Sequence, residues 1–170
     1  LNKEVSNPFS TGGGGGHFEN SVQTAFTILM LSGGVSPCLP AWPIVKIKLQ
    51  GKYQGFDIDD LIVFSKEPNS KKEAKLLGQI KHSIKFTNSD SNFRNVIQAA
   101  WNDFNNAKKF SENSNDVIAL ICGPLSATDT NSVRPLLEQA RKSESAEDFI
   151  ERVELAKFTS DGQRKKFEVF

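Results

Sequence analysis

The chain has 170 residues, 38% of them hydrophobic, with two cysteines and a formal net charge of +1. That length can bury a core within one domain, and the near-zero charge excludes a protein that holds nucleic acid by bulk basicity. Two widely spaced cysteines, Cys38 and Cys122, both in apolar sequence, exclude a disulfide framework or a metal knuckle. No apolar run approaches the roughly 20 residues that span a bilayer, and no charged-then-apolar leader pattern opens the chain, so a soluble, cytoplasmic protein is expected.

Residues 1–16 are turn formers ending in five glycines and are expected to be a flexible lead-in. They do not match a phosphate-binding loop, because no Gly-Lys-Ser/Thr follows and no strand precedes them. From 18 to 31, Phe18, Val22, Ala25, Phe26, Leu29 and Met30 recur at three- and four-residue spacing, which predicts a helix stopped by Gly33 and Gly34. Glu19 and Gln23, one turn apart, border its apolar face. An acid in a first helical turn favours the macrodipole. Metal ligation or the positioning of a water is the competing role for Glu19.

Residues 44–49 alternate apolar side chains with Lys46 and Lys48 and predict a strand with one wet face. A turn at 51–55 leads into a strand over 56–64, which opens with Asp57, Asp59 and Asp60 and continues as an unbroken apolar run, as a strand covered on both faces does. After a charged loop at 65–75, a further strand is expected over 76–86. Successive strand residues point to opposite faces, so Gln79 and Lys81 share one face and His82 lies on the other, where a hydrogen-bonded structural histidine is expected ahead of a catalytic one. His17 is expected to be merely exposed.

Ser91 is the expected N-cap of a helix carrying Phe93, Val96, Ile97, Ala100, Trp101, Phe104 and Ala107, with Trp101 and its phenylalanine neighbours in the core. Residues 116–122 predict an interior strand closed by Gly123 and Pro124. Helices follow at about 133–142 and 146–158, with a charged run from 138 to 152 that is either a solvated face or a contact surface. A last helix start lies at Ser160 and Asp161. The order predicts an α/β fold, a mixed central sheet flanked by helices with an αβββαβ core and extra C-terminal helices.

A carboxylate, an amide and a lysine on neighbouring strands are the parts that metal-assisted phosphodiester hydrolysis needs. A metal lowers the pKa of a bound water, oxygen donors hold Mg²⁺ while it keeps several waters, and a nearby lysine stabilises developing negative charge. Lys46, Lys48, Lys52, Lys71, Lys72, Lys75 and Lys85 are either a phosphate-tracking surface around these groups or a solvated face.

At Asp60, Gln79 and Lys81 the chain resembles the PD-(D/E)xK nuclease superfamily, in the Gln-for-Glu form also seen in Mrr-like enzymes. With the glycine-rich start before Phe18 and Glu19, the run 59–63 and the run 79–83, it is similar to the nuclease domains of CD-NTase-associated endonucleases of bacterial antiphage systems, which also occur at the N-terminus of antiviral STAND ATPases. The resemblance implies a restriction-endonuclease-like fold and a Mg²⁺-dependent endonuclease, with Mn²⁺ as a substitute, that cuts double-stranded DNA. In it Asp60 ligates metal with Gln79 beside it, Lys81 is the catalytic lysine and Glu19 the helix acid near the metal. Asp59 is the second candidate for the metal-binding aspartate, and Lys46, Lys48, Lys52 and Lys85 are the candidate DNA contacts. The implied organisation is a lead-in at 1–16, a nuclease domain at 17–158, and a link at 159–170 to a sensor or ATPase region whose assembly into a homo-oligomer activates cutting, with no membrane partner. Glutamine at 79 in place of glutamate leaves one less negative charge on the metal and puts a strict two-metal site in doubt. An RNase and a catalytically silent association module are the alternative functions.

Overall fold

The computed structural model describes residues 13–111, 114–155 and 159–170. Residues 1–12 of the expected lead-in and 156–158 of the expected helix lie outside the described residues. The chain divides into two compact units, one holding residues 13–83 and 95–123, the other 84–94 and 124–170.

The first unit is a four-stranded mixed sheet flanked by helices. Strands β1 (Ile44–Leu49), β2 (Leu61–Lys66), β3 (Glu73–Lys81) and β4 (Val117–Cys122) lie in the order β1-β2-β3-β4. The first three pair antiparallel, and β4 pairs parallel to β3. Helix α1 (Gly13–Leu31) covers one face, where Phe26 meets Ile44, Leu61, Val63, Leu76 and Ile80. On the other face Ile62 and Leu77 pack with Ile58, Phe110 and the Ala99 and Ala100 side chains of α2 (Ser91–Phe104). Leu61, Ile62 and Val63 are wholly inaccessible, which is why the first half of β2 is an unbroken apolar run. The parallel β3–β4 pair requires a crossover, which α2 supplies.

Several local expectations change. The glycines 13–16 are helical and form the first turn of α1, because the amphipathic run behind them extends the helix through residues with no side chain to oppose it. Glu19 therefore stands beyond the first turn, which carries no acid, and the macrodipole does not account for it. The helix ends as its sequence predicts: Gly33, at φ 71°, donates to Met30 O and Gly34 donates to Leu29 O.

Residues 56–60 are not strand: β2 begins at Leu61, and β3 spans Glu73–Lys81 rather than 76–86. Strand β4 is an edge strand, half-buried throughout. It is nonetheless fully apolar because Val117, Ala119 and Ile121 join the core beneath α1 while Ile118 joins the opposite one. Asp90, not Ser91, caps α2, its Oδ1 accepting from the N–H groups of Asn92 and Phe93. Trp101 is 62% exposed, and Phe104, stacked on it, is exposed too. The apolar stripe of α2 is wider than the sheet beneath it, and only its Val96 and Ala100 side turns inward. Cys38 is exposed rather than enclosed by apolar neighbours.

In the second unit α3 (Ala127–Lys142) packs on α4 (Ala146–Glu154) and α5 (Asp161–Phe167). Ser126, Ser145 and Ser160 cap them, the last through a full capping box with Gln163. Phe86, Phe93 and Phe170 form an aromatic cluster. Lys166 Nζ reaches Asp129 Oδ1 at 2.6 Å and donates to Phe86 O at 2.7 Å. Among the described residues no helix is long and apolar enough to cross a membrane.

Candidate functional site

The β2–β3 register ends with Leu61 opposite Gly78, so the next rung sets Asp60 opposite Gln79. The two side chains meet: Gln79 Nε2 donates to Asp60 Oδ2. The same oxygen accepts from Ile80 N–H at 2.7 Å and stands 3.6 Å from Lys81 Nζ. Gln79 is 6% exposed and Lys81 about one-third exposed. A buried amide and a wet lysine thus bracket one carboxylate at the end of the sheet.

Glu19 joins from α1 through Gln23, whose Nε2 donates to Glu19 Oε1 at 2.9 Å and to Asp60 O at 3.0 Å. The helix acid is tied in this way to the main chain of Asp60. Gln23, singled out in the sequence only as Glu19's neighbour one turn on, is the bridge. His82 follows the end of β3 and sets its ring edge-on to Phe18 at 5.5 Å; strand alternation does not reach it.

The loop that delivers Asp60 is held from α2. The fully buried Asp103 carboxylate accepts from Asp57 N–H and from Ile58 N–H, the latter at 2.8 Å, and pairs with Lys109 Nζ at 3.0 Å. These bonds turn the backbone at 57–58 out of strand geometry, so the face parity of Asp57, Asp59 and Asp60 in an ideal strand does not apply. Asp103 is absent from the expected site. Its signal was an acid seven residues after Val96 on the inward side of an amphipathic helix, where a charge needs a partner.

Asp59 points elsewhere. It lines a cleft of about 250 Å³ with Lys52, Asp57, Asn95, Gln98 and Asn102. Its carboxyl is held above the usual aspartate range, first by partial burial and then by the charge of Asp60, with Lys52 and Lys81 pulling the other way. The charged form is therefore disfavoured on folding. That cost is present at pH 7 and vanishes below the ordinary value of about 3.9, where the carboxyl is protonated in both states. An Asp59→Asn chain should melt higher than the parent at pH 7 and together with it near pH 3, as thermal scans across that range will show.

The expected cationic surface divides. Lys46 and Lys48 lie over the Phe64 ring at 5.4 and 5.6 Å, and Lys52 borders the Asp59 cleft. Lys75 is structural, bound to Lys109 O at 2.6 Å and to Asp116 at 3.1 Å. Lys85 belongs to the second unit, where its N–H is taken by Asp90.

The donors suit a hard cation. Asp60 Oδ1 accepts no hydrogen bond from the described residues, and a half-turn of the Gln79 amide presents its oxygen where its nitrogen now stands. Among the described residues no three His, Cys, Asp or Glu side chains gather to hold an ion by themselves. A cation here would take one carboxylate, the Gln79 oxygen and several waters, a set that Mg²⁺ or Mn²⁺ accepts. Comparison with family models, curated proteins and solved structures finds no match, so the site is read from its own geometry.

Proposed function

We propose that this chain is a metal-dependent endonuclease with a restriction-endonuclease-like fold that hydrolyses phosphodiester bonds of double-stranded DNA. The observation that supports the reading is the single carboxylate of Asp60 shared by the Gln79 amide and the Lys81 ammonium at one end of the sheet. Bound Mg²⁺ would supply a water of lowered pKa and neutralise phosphate charge. Asp60 and Gln79 would hold it. Lys81, about one-third exposed, would reach a phosphate laid across the strand end and stabilise negative charge there. Gln23 fixes Glu19 against the Asp60 backbone, where its carboxylate orients a water. Lys46, Lys48 and Lys52 would meet neighbouring phosphates. A role as effector of a larger antiphage protein, activated by assembly, belongs to the same proposal and rests on the sequence resemblance.

The test is conversion of supercoiled plasmid to nicked and linear forms with Mg²⁺ and with EDTA, at rising protein concentration, beside single-stranded DNA and RNA of matched sequence. Duplex cutting that needs metal is the expected result. A steeper than linear dependence on protein concentration would indicate activation by assembly. RNA cut in preference to DNA overturns the substrate, and cutting that persists in EDTA overturns the metal.

A further inference from the structure

The two edges of the sheet differ. Strand β1 carries Lys46 and Lys48 and a register shift between Ile44 and Lys46, the charges and the irregularity that keep an edge from pairing with another chain. Strand β4 has no charged residue and no proline, and its register against β3 is unbroken from Leu76↔Val117 to Lys81↔Cys122. Apart from that ladder, no group of the described residues bonds to the backbone of 117–122. Every second residue of β4 thus turns its N–H and C=O to the open edge, the row that an added strand takes up.

An apolar flank lies on the same side. Asn95, Gln98 and Asn102 border a cleft with Lys52 of the β1–β2 connection, so that flank of α2 faces the β1 side. Ile97, Trp101 and Phe104, at three- and four-residue spacing, form the other flank and face the β4 side. The ring contacts agree, since Phe104 meets Phe110 at 5.2 Å and Phe110 packs in one cluster with Ile118 of β4. Ile97, Trp101 and Phe104 are 41%, 62% and 39% exposed, and the indole stacks on the Phe104 ring.

A second copy of this chain meets both features at once. Two β4 strands laid edge to edge in antiparallel sense are related by a two-fold axis perpendicular to the sheet. That operation leaves both α2 helices on one face of the joined sheet, with their Ile97, Trp101 and Phe104 flanks turned toward each other. A lone peptide strand would cover the edge and leave Trp101 wet. The missing charge suits a two-fold as well, because a charge beside the axis meets its own like. With six residues of strand, the contact is about 20 Å long, and it is about 20 Å deep through the sheet and one helix, on the order of 400 Å² per copy. A stable pair buries about twice that, so this one is reversible and forms as copies are concentrated.

We propose that β4 and the Ile97, Trp101 and Phe104 flank of α2 form a two-fold interface between copies of this chain, joining two four-stranded sheets into one. It supplies a surface for the assembly proposed above, and its test reads mass and amide exchange, apart from any nuclease activity. Sedimentation equilibrium of the whole chain from about 1 to about 200 μM, the range of weak specific pairs, should show the mass rising from one chain to two. Trp101→Glu and Trp101→Lys change a residue that is 62% exposed, so both chains should fold. Each should stay monomeric, and an equimolar mixture of the two should associate, because the two-fold sets position 101 of one copy near position 101 of the other. The β4 amides that face the open edge should exchange at least about threefold more slowly at the highest concentration than at the lowest.

A parent chain that stays monomeric throughout, growth past two chains, association that ignores both Trp101 variants, a mixture that stays apart, or β4 amides that exchange alike across the range overturns the interface. A dimer that cuts nothing with Mg²⁺ keeps the interface and removes the nuclease; a chain that cuts and stays monomeric does the reverse.

Discussion

A Lys81→Ala chain is expected to fold like the parent and to lose plasmid cutting by about a hundredfold to a thousandfold, the range for removing one preorganised charge-stabilising group. The two halves of that expectation come from one geometry. Lys81 is about one-third exposed and stands 3.6 Å from Asp60 Oδ2, a wet and loose pair worth about 0–1 kcal/mol to the fold. Its removal leaves Asp60 still bound by Gln79 and by Ile80 N–H, so no charge is stranded. What disappears is the cation at the strand end. Denaturant midpoints and cutting rates on the same preparations separate the two effects. A variant that cuts like the parent would reduce the Asp60–Lys81 contact to an ordinary ion pair and remove Lys81 from the cutting machinery.

The sheet was legible in the sequence because its cues are local. Alternation in β1, the unbroken apolar run of β2 and the Gly33-Gly34 stop each follow from a few adjacent residues, and the structure places them close to where the pattern does. The pairing of Asp60 with Gln79 and Lys81 followed from the resemblance and from strand parity at β3, and the register carries it. The errors arose where distant groups override local pattern. Asp103, more than 40 residues along the chain, takes the N–H groups of Asp57 and Ile58 and bends an apparent strand start into a loop. Trp101 looked interior by composition, yet the inward arc of α2 is filled by Val96, Ala100 and Asp103. The β4 run looked interior because both of its faces carry apolar residues, but strand order is settled by the crossover and not by the strand's own sequence.

Asp103 carries the largest expected effect on stability. Its carboxylate is wholly buried, pairs with Lys109 and satisfies two main-chain N–H groups of the loop ahead of Asp60. Removing one partner of a buried pair costs about 3–5 kcal/mol, a large share of the 5–15 kcal/mol that holds a typical domain together. Asp103→Ala should therefore lower the urea midpoint sharply. Asp103→Asn keeps the shape but turns an amide NH₂ or a single carbonyl toward three donors, so it should fall between Ala and the parent. The loop role is separable from the ion pair. If the carboxylate served only Lys109, Asp103→Leu with Lys109→Met would recover most of the stability, because an apolar pair can replace a buried ionic one. The N–H groups of Asp57 and Ile58 would still be orphaned in that double variant, at about 1–3 kcal/mol each, so only partial recovery is expected. Plasmid cutting should stay low even below its melting point, since Asp60 would no longer be held opposite Gln79. Full recovery of stability together with full cutting would show that Asp103 does not position the loop.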